Sequence, residues 1–166
     1  MLVLASRFGI AYISVRLVPV VTRQTTAPPP QAFAGLFGRG HPILALAPMQ
    51  DITDLPFLRL MAGYGGADLY FTEYFRVYPG SKLNRHILRS VTENPTGRPV
   101  VAQLIGNDIP ELVRAARELQ HYPVAGIDLN LGCPAPVVYR KCAGGGLLRD
   151  PKRVDEIGRA SCRERV

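Results

Sequence analysis

Cys133 sits between Gly132 and Pro134 in the stretch DLNLGCPAPVVYRKCAGGG, residues 128–146. A glycine permits unusual backbone angles and the close approach of a ligand. A proline fixes the following φ and removes a competing N–H. Together the two neighbours hold a thiol rigidly at the end of an apolar run. The plainer alternative is a cysteine packed as a small hydrophobe, which leaves both neighbours unexplained. Cys142 and Cys162 have no such framing and read as structural or incidental.

Two amides accompany the thiol. Gln103 and Asn130 interrupt the apolar runs RPVVAQLIG and AGIDLNLG, and a buried amide costs free energy unless its donors and acceptors are met. Either each satisfies neighbouring backbone groups, or the pair offers donors and acceptors to a polar ring such as a flavin or a pyrimidine. Pro48, Met49 and Gln50 close another apolar run, and Thr72 and Glu73 a further one. Arg140 and Lys141 either meet a nucleic-acid backbone or form a solvated charge pair. The triple glycine 144–146 either cradles phosphate or forms a mobile loop. Histidines occur only at 41, 86 and 121, too scattered for a His/Cys zinc site.

These residues fall at the ends of predicted strands. ILALAPM (43–49) is continuously apolar, as a strand covered on both faces should be. Asp54 and Pro56 open a short helix that Gly63, Gly65 and Gly66 stop. DLYFTEY (68–74) is a second strand, SKLNRHILRSV a helix, and RPVVAQLIG (98–106) a third strand. Asp108 and Glu111 have capping-box spacing, and Leu112, Ala115, Ala116 and Leu119 repeat at the helical period. AGIDLNLG (125–132) is the fourth strand, and Asp150-Pro151 opens a last helix.

Strands alternating with helices predict a parallel sheet in an α/β fold. The first strand–helix corner, APMQDITD, lacks the glycine fingerprint of a doubly wound nucleotide fold. A (β/α)8 TIM barrel uses about 30 residues per unit, so residues 41–158 correspond to its first four units. The chemistry of such barrels gathers at the C-terminal strand ends, where Pro48, Met49, Gln50, Thr72, Glu73, Gln103, Asn130 and Cys133 lie. The expectation is therefore the first half of a (β/α)8 TIM barrel, truncated, in which residues 159–166 form an atypical, foreign-looking tail.

The whole chain has 166 residues, 47% hydrophobic and 20% charged, with a formal charge of +7. Three cysteines give no disulfide framework and suit a reducing, cytoplasmic setting. The basicity is concentrated at the ends. Residues 41–158 carry 13 Lys+Arg against 12 Asp+Glu, and no acid precedes Asp51. Residues 1–40, with Arg7 and Arg16 interrupting the apolar stretch, cannot form the apolar span of about 20 residues that a membrane helix needs. They read as a disordered N-terminal extension, either a targeting leader or the product of a misassigned start, joined by the Pro-rich linker TTAPPPQAFAG.

LAPMQDITD, TEYFRV, VAQLIGND and DLNLGCPAPVVYRKCAGGGLLRDP resemble, in this order, the signatures of the tRNA-dihydrouridine synthases. The resemblance runs from about Pro42 to Ile157. It implies an FMN-dependent barrel that reduces the C5–C6 double bond of uridines in tRNA with electrons from NADPH. By the same resemblance Pro48, Met49 and Gln50 lie against the flavin, and Gln103 hydrogen-bonds its ring. Asn130 meets the uracil, Cys133 is the catalytic acid, and Arg140 and Lys141 contact tRNA. The later strands, the FMN-phosphate loops and the helical domain of that family have no counterpart in this sequence, which implies a fragment inactive by itself. The alternatives are another FMN barrel oxidoreductase acting on a small molecule, dihydroorotate dehydrogenase-like or ene-reductase-like, and a non-catalytic half-barrel module.

Overall fold

The computed structural model describes residues 42–163, together with Val3–Leu4, Tyr12–Ile13, Phe33 and Leu36. Most of the extension at 1–40, the side chain of Cys162, and residues 164–166 lie outside the described residues. Within the extension, β1 (Val3–Leu4) and β2 (Tyr12–Ile13) pair antiparallel.

The other four strands form one sheet. β3 (Ala45–Leu46), β4 (Leu69–Arg76), β5 (Val100–Ile105) and β6 (Gly126–Leu129) lie side by side in chain order, and every neighbouring pair is parallel. Helices α1 (Leu55–Gly63), α2 (Arg85–Thr92) and α3 (Ile109–Leu119) make the crossovers. After β6 come α4 (Pro136–Tyr139), a 3-10 helix (Gly144–Arg149) and α5 (Pro151–Arg163). This is the first half of a (β/α)8 barrel, as the strand–helix alternation predicts.

Local chemistry sets the element ends. Asp54 caps α1 by accepting from Phe57 N at 3.0 Å. Asp108 caps α3 by accepting from Glu111 N at 3.0 Å. The capping box is only half realised there, because the Glu111 carboxylate pairs with Arg114 at 2.7 Å instead. The predicted strands at 43–49 and 125–132 are shorter than the apolar runs. Pro42 and Pro48 bracket the first and have no N–H for a ladder, and Asp68 Oδ2 takes the N–H of Leu44. The second stops at Leu129, where Asn130 redirects the chain. Helix α5 continues to Arg163, through the first five residues of the segment read as an atypical tail.

Two apolar clusters cover the two faces of the sheet. Leu58, Tyr70, Phe75, Val77, Val91, Val100, Ala102, Leu104, Leu112 and Leu119 pack between strands and helices, each fully buried large side chain contributing about 1.5–3 kcal/mol. On the opposite face Leu69, Phe71 and Val101 pack with Leu36 of the extension.

Strand β4 changes faces part-way. Its register with β5 pairs Phe71 with Val101 but Tyr74 with Gln103, so one extra residue is accommodated at Thr72–Glu73. Tyr70 before this bulge and Phe75 after it both join the helix-covered cluster. With strict alternation they would face opposite ways. Thr72 bridges the irregularity: its Oγ1 accepts from Gln103 N at 3.1 Å and donates to Glu73 O at 2.7 Å. Bulges of this kind re-aim side chains, and here the bulge turns Tyr74 away from the helices.

Candidate active site

A chain of side-chain hydrogen bonds crosses the C-terminal ends of β5 and β6. Asn130 Oδ1 accepts from Gly132 N at 3.1 Å and from Cys133 N at 2.9 Å. Its Nδ2 donates to Gln103 Oε1 at 2.8 Å, and Gln103 Nε2 donates to Asp128 Oδ2 at 2.6 Å. The direction is determined at the Asn130 end, since backbone N–H groups can only donate and Asn130 Oδ1 must accept them. All three side chains are buried, where such bonds are worth most and unpaired groups cost most. Both amides thus have backbone or side-chain partners inside the chain. Each amide also keeps a second N–H.

The same network fixes Cys133. Its N–H is held by Asn130, and its carbonyl accepts from Gly145 N at 3.0 Å. The glycines 144–146 are packed under this loop, and are neither an open cradle nor a loose loop. Gly144 has φ +54°, and a Cβ there would lie 2.9 Å from Cys133 O and 3.0 Å from Cys133 Cβ. A Cβ on Gly146 would lie 2.4 Å from Tyr139 O. Only residues without side chains allow this approach. Cys133 itself is half-buried and fixed in backbone on both sides.

The first strand–helix loop forms the other side. Pro48 and Gln50 are half-buried and Met49 is 37% exposed. Thr53 Oγ1 ties this loop to α1, accepting from Met49 N at 3.0 Å and donating to Met49 O at 3.1 Å. Asp51 adopts φ +61°, and its N–H donates to the Glu73 carboxylate arriving from β4. Burial pushes the Glu73 carboxyl above its ordinary value; the Asp51 N–H opposes the shift, while the Asp51 and Asp54 charges add to it. The Gln50 Oε1 atom is buried and has no hydrogen-bond partner among the described residues.

Arg140 and Lys141 are exposed just beyond α4. Cys142, at φ +53°, lies across a cleft of about 300 Å³ from Lys152 and Arg153. Arg149 Nη2 donates to Cys142 Sγ at 3.4 Å and to Tyr139 O at 3.2 Å, and Arg153 donates to Asn107 O. That cleft is braced by its own arginines.

The sequence profile described as dihydrouridine synthase (Dus) matches residues 45–163. That match covers most of the chain, including every strand of the parallel sheet. The chain belongs to the dihydrouridine synthase family. It is 40% identical over 113 residues to tRNA-dihydrouridine synthase B of Pasteurella multocida, covering 68% of this chain and 33% of the relative. It is 35% identical over 120 residues to tRNA-dihydrouridine(16) synthase of Ralstonia nicotianae, covering 69% and 37%. A probable tRNA-dihydrouridine synthase of Staphylococcus epidermidis is 31% identical over 123 residues. The chain spans about a third of the length of these curated relatives.

Within this synthase-family segment the structure gathers Gln103, Asn130 and Cys133 into one network, and places Pro48, Met49 and Gln50 on the neighbouring strand-end loop. Arg140 and Lys141 stand apart from the network. One residue of the network escapes sequence reasoning: Asp128, two residues before Asn130, had a readable signal in that spacing.

Proposed function

We propose that this chain is the opening half of the catalytic barrel of an FMN-dependent tRNA-dihydrouridine synthase, with Cys133 as the proton donor. The observation that carries the reading is the anchoring of Cys133 just beyond β6: both its N–H and its C=O are tied down, by Asn130 and Gly145. A nucleophile or acid needs such fixed geometry, and a packing cysteine does not.

The residues present fit a flavin. The unpartnered Gln50 Oε1 follows directly on Met49, which is 37% exposed, and the imide edge of an isoalloxazine would offer an N–H to such an acceptor. An FMN held there would supply hydride chemistry at C6 of the uracil, with NADPH as its reductant. This chain's residues do the rest. Pro48, Met49, Gln50 and Gln103 seat the ring. Asn130 aligns the uracil with its remaining amide N–H, and the Cys133 S–H delivers the proton to C5. The target uridine leaves the base stack to reach them, and Arg140 and Lys141 contact the backbone of the tRNA. The enzyme works in the cytoplasm, where its tRNA substrate and a reducing environment meet. The activity belongs to the complete barrel, so the 166-residue chain alone does not turn over.

In the complete protein, Cys133→Ala should lower tRNA uridine reduction by about 10²- to 10⁴-fold, the usual contribution of a general acid. FMN affinity, read by flavin fluorescence, should stay unchanged. Wild-type dihydrouridine formation in that variant would remove the proton-donor role.

A further inference from the structure

The connection from β4 to α2 holds an exposed aromatic residue on a braced turn. Tyr78, Pro79, Gly80 and Ser81 have the proline and the positive-φ glycine of a type II turn, with Gly80 at φ +76°. Ser81 N donates to Tyr78 O at 2.9 Å, and Ser81 Oγ accepts from Tyr78 N at 3.1 Å. Helix α3 fastens the turn from outside. Arg114 Nη2 donates to Ser81 O at 2.5 Å, while Glu111 and Glu118 hold its guanidinium at 2.7 and 3.2 Å. Val77, Ser81 and Leu83 are buried, yet Tyr78 is 60% exposed.

The charge around this turn is one-sided. No Asp or Glu occurs between Tyr74 and Thr92, although residues 41–158 are nearly balanced. Arg76, Lys82 and Arg85 are exposed and form no ion pair among the described residues. The Arg76 guanidinium carbon lies 5.7 Å from the Tyr74 ring centroid. Because β4, β5 and β6 are parallel, the connection emerges at the same end of the sheet as Asn130 and Cys133.

We propose that this connection is an RNA-contact surface, in which Tyr78 stacks on a base beside the target uridine and Arg76, Lys82 and Arg85 meet phosphates of the same strand. The inference rests on the reading of the chain as part of a tRNA-reducing enzyme. Turning a uridine out of its stack uncovers the face of a neighbouring base, and an aromatic ring takes such a face whatever the base. A turn already fastened on both sides of its exposed ring loses little freedom on binding. Cations without carboxylate partners give up no ion pair when they meet phosphate, and their contribution is read directly in the salt dependence. Arg140 and Lys141 follow β6, so the two basic segments stand on either side of β5 in the sheet order.

In the complete protein, Tyr78→Ala should weaken tRNA binding by about tenfold, within the range of one base–aromatic stack, as measured by fluorescence anisotropy. Tyr78→Phe keeps the ring and should bind as the wild type does. An equal loss in both variants overturns the stacking role. Arg76→Gln, Lys82→Gln and Arg85→Gln together should lower the slope of log affinity against log salt by about two, since each phosphate contact to a single strand contributes about 0.7. The positions are exposed, and an unchanged urea midpoint verifies that each variant is folded. If the wild type forms dihydrouridine while Tyr78→Ala and the triple variant keep its affinity and salt slope, the surface is overturned and the synthase reading stands. A wild type that forms no dihydrouridine, with RNA affinity still falling in Tyr78→Ala, overturns the synthase reading and leaves the RNA-contact surface standing.

Discussion

The two sides of the strand-end rim are built on opposite plans. Around β5 and β6, Asp128, Gln103 and Asn130 satisfy one another, and the last of them holds the backbone of Cys133. Around β3 the strand is two residues long, Met49 faces outward, and Gln50 keeps a buried acceptor without a partner. On the first side every buried side-chain nitrogen and oxygen has a partner within the chain. The second holds a buried oxygen without a partner among the described residues. Proton delivery needs a donor already in place at the moment of transfer, whereas a cofactor seat can leave part of its hydrogen bonding to the cofactor.

If that contrast is right, the largest effects of substitution should come from the direction of the amide chain. Asn130→Asp keeps an oxygen for Gly132 N and Cys133 N but turns a second oxygen toward Gln103 Oε1. Gln103 must then flip its amide, and its oxygen meets the carboxylate of Asp128. With one buried pair left in conflict, the cost should be about 3 kcal/mol, read as a lower urea midpoint of the complete protein. Adding Asp128→Asn should recover part of the loss, because an amide at 128 can donate to the flipped Gln103 and the whole chain then runs in reverse. A double variant no more stable than Asn130→Asp would show that direction is not what holds the network.

The other side should respond in affinity rather than stability. Gln50→Leu removes an unsatisfied buried acceptor, which by itself costs the folded chain nothing and can stabilise it. FMN affinity should fall by about tenfold, in line with one lost hydrogen bond, and isothermal titration of the apoprotein with FMN measures it directly. Loss of stability with unchanged FMN affinity would reverse the comparison.

The contrast also explains what was legible in the residues alone. The four strands, their order and the caps at Asp54 and Asp108 follow from local chemistry, and they appear where apolar runs and turn residues placed them. Gln103, Asn130 and Cys133 stood out because polar side chains on apolar strands need a reason. What those amides bind to was not legible, since their partners lie 25 and 27 residues away in sequence, Asp128 for Gln103 and Gln103 for Asn130. Glycines 144–146 were ambiguous for the same reason. Their role is set by Cys133 O and Tyr139 O pressing against them, and nothing in a run of three glycines names what presses. Tyr74 shows the hardest case. An alternating pattern through LYFTEYFR puts Tyr70 and Tyr74 on one face, and only the register with β5 shows that the bulge separates them.

The smallest effect expected lies at the junction of the two sides, where Glu73 of β4 holds the Asp51 N–H of the β3 loop. Burial raises its carboxyl above the ordinary value of 4.5, so the folded protein binds this proton more tightly than the unfolded chain does. The stability linked to that proton is fully present below the unfolded value and is lost as pH rises through the raised folded one. As pH rises through the raised value, ionisation places a charge on this buried side chain, which accepts the Asp51 N–H. Glu73→Gln keeps an acceptor for Asp51 and removes the charge. The variant should be modestly more stable than wild type at pH 7 and should lose the downward slope that begins above pH 4.5. Urea midpoints measured between pH 4 and pH 8 test both points. A wild-type slope surviving in the variant would mean that another group titrates, and that Glu73 joins the two sides by geometry alone.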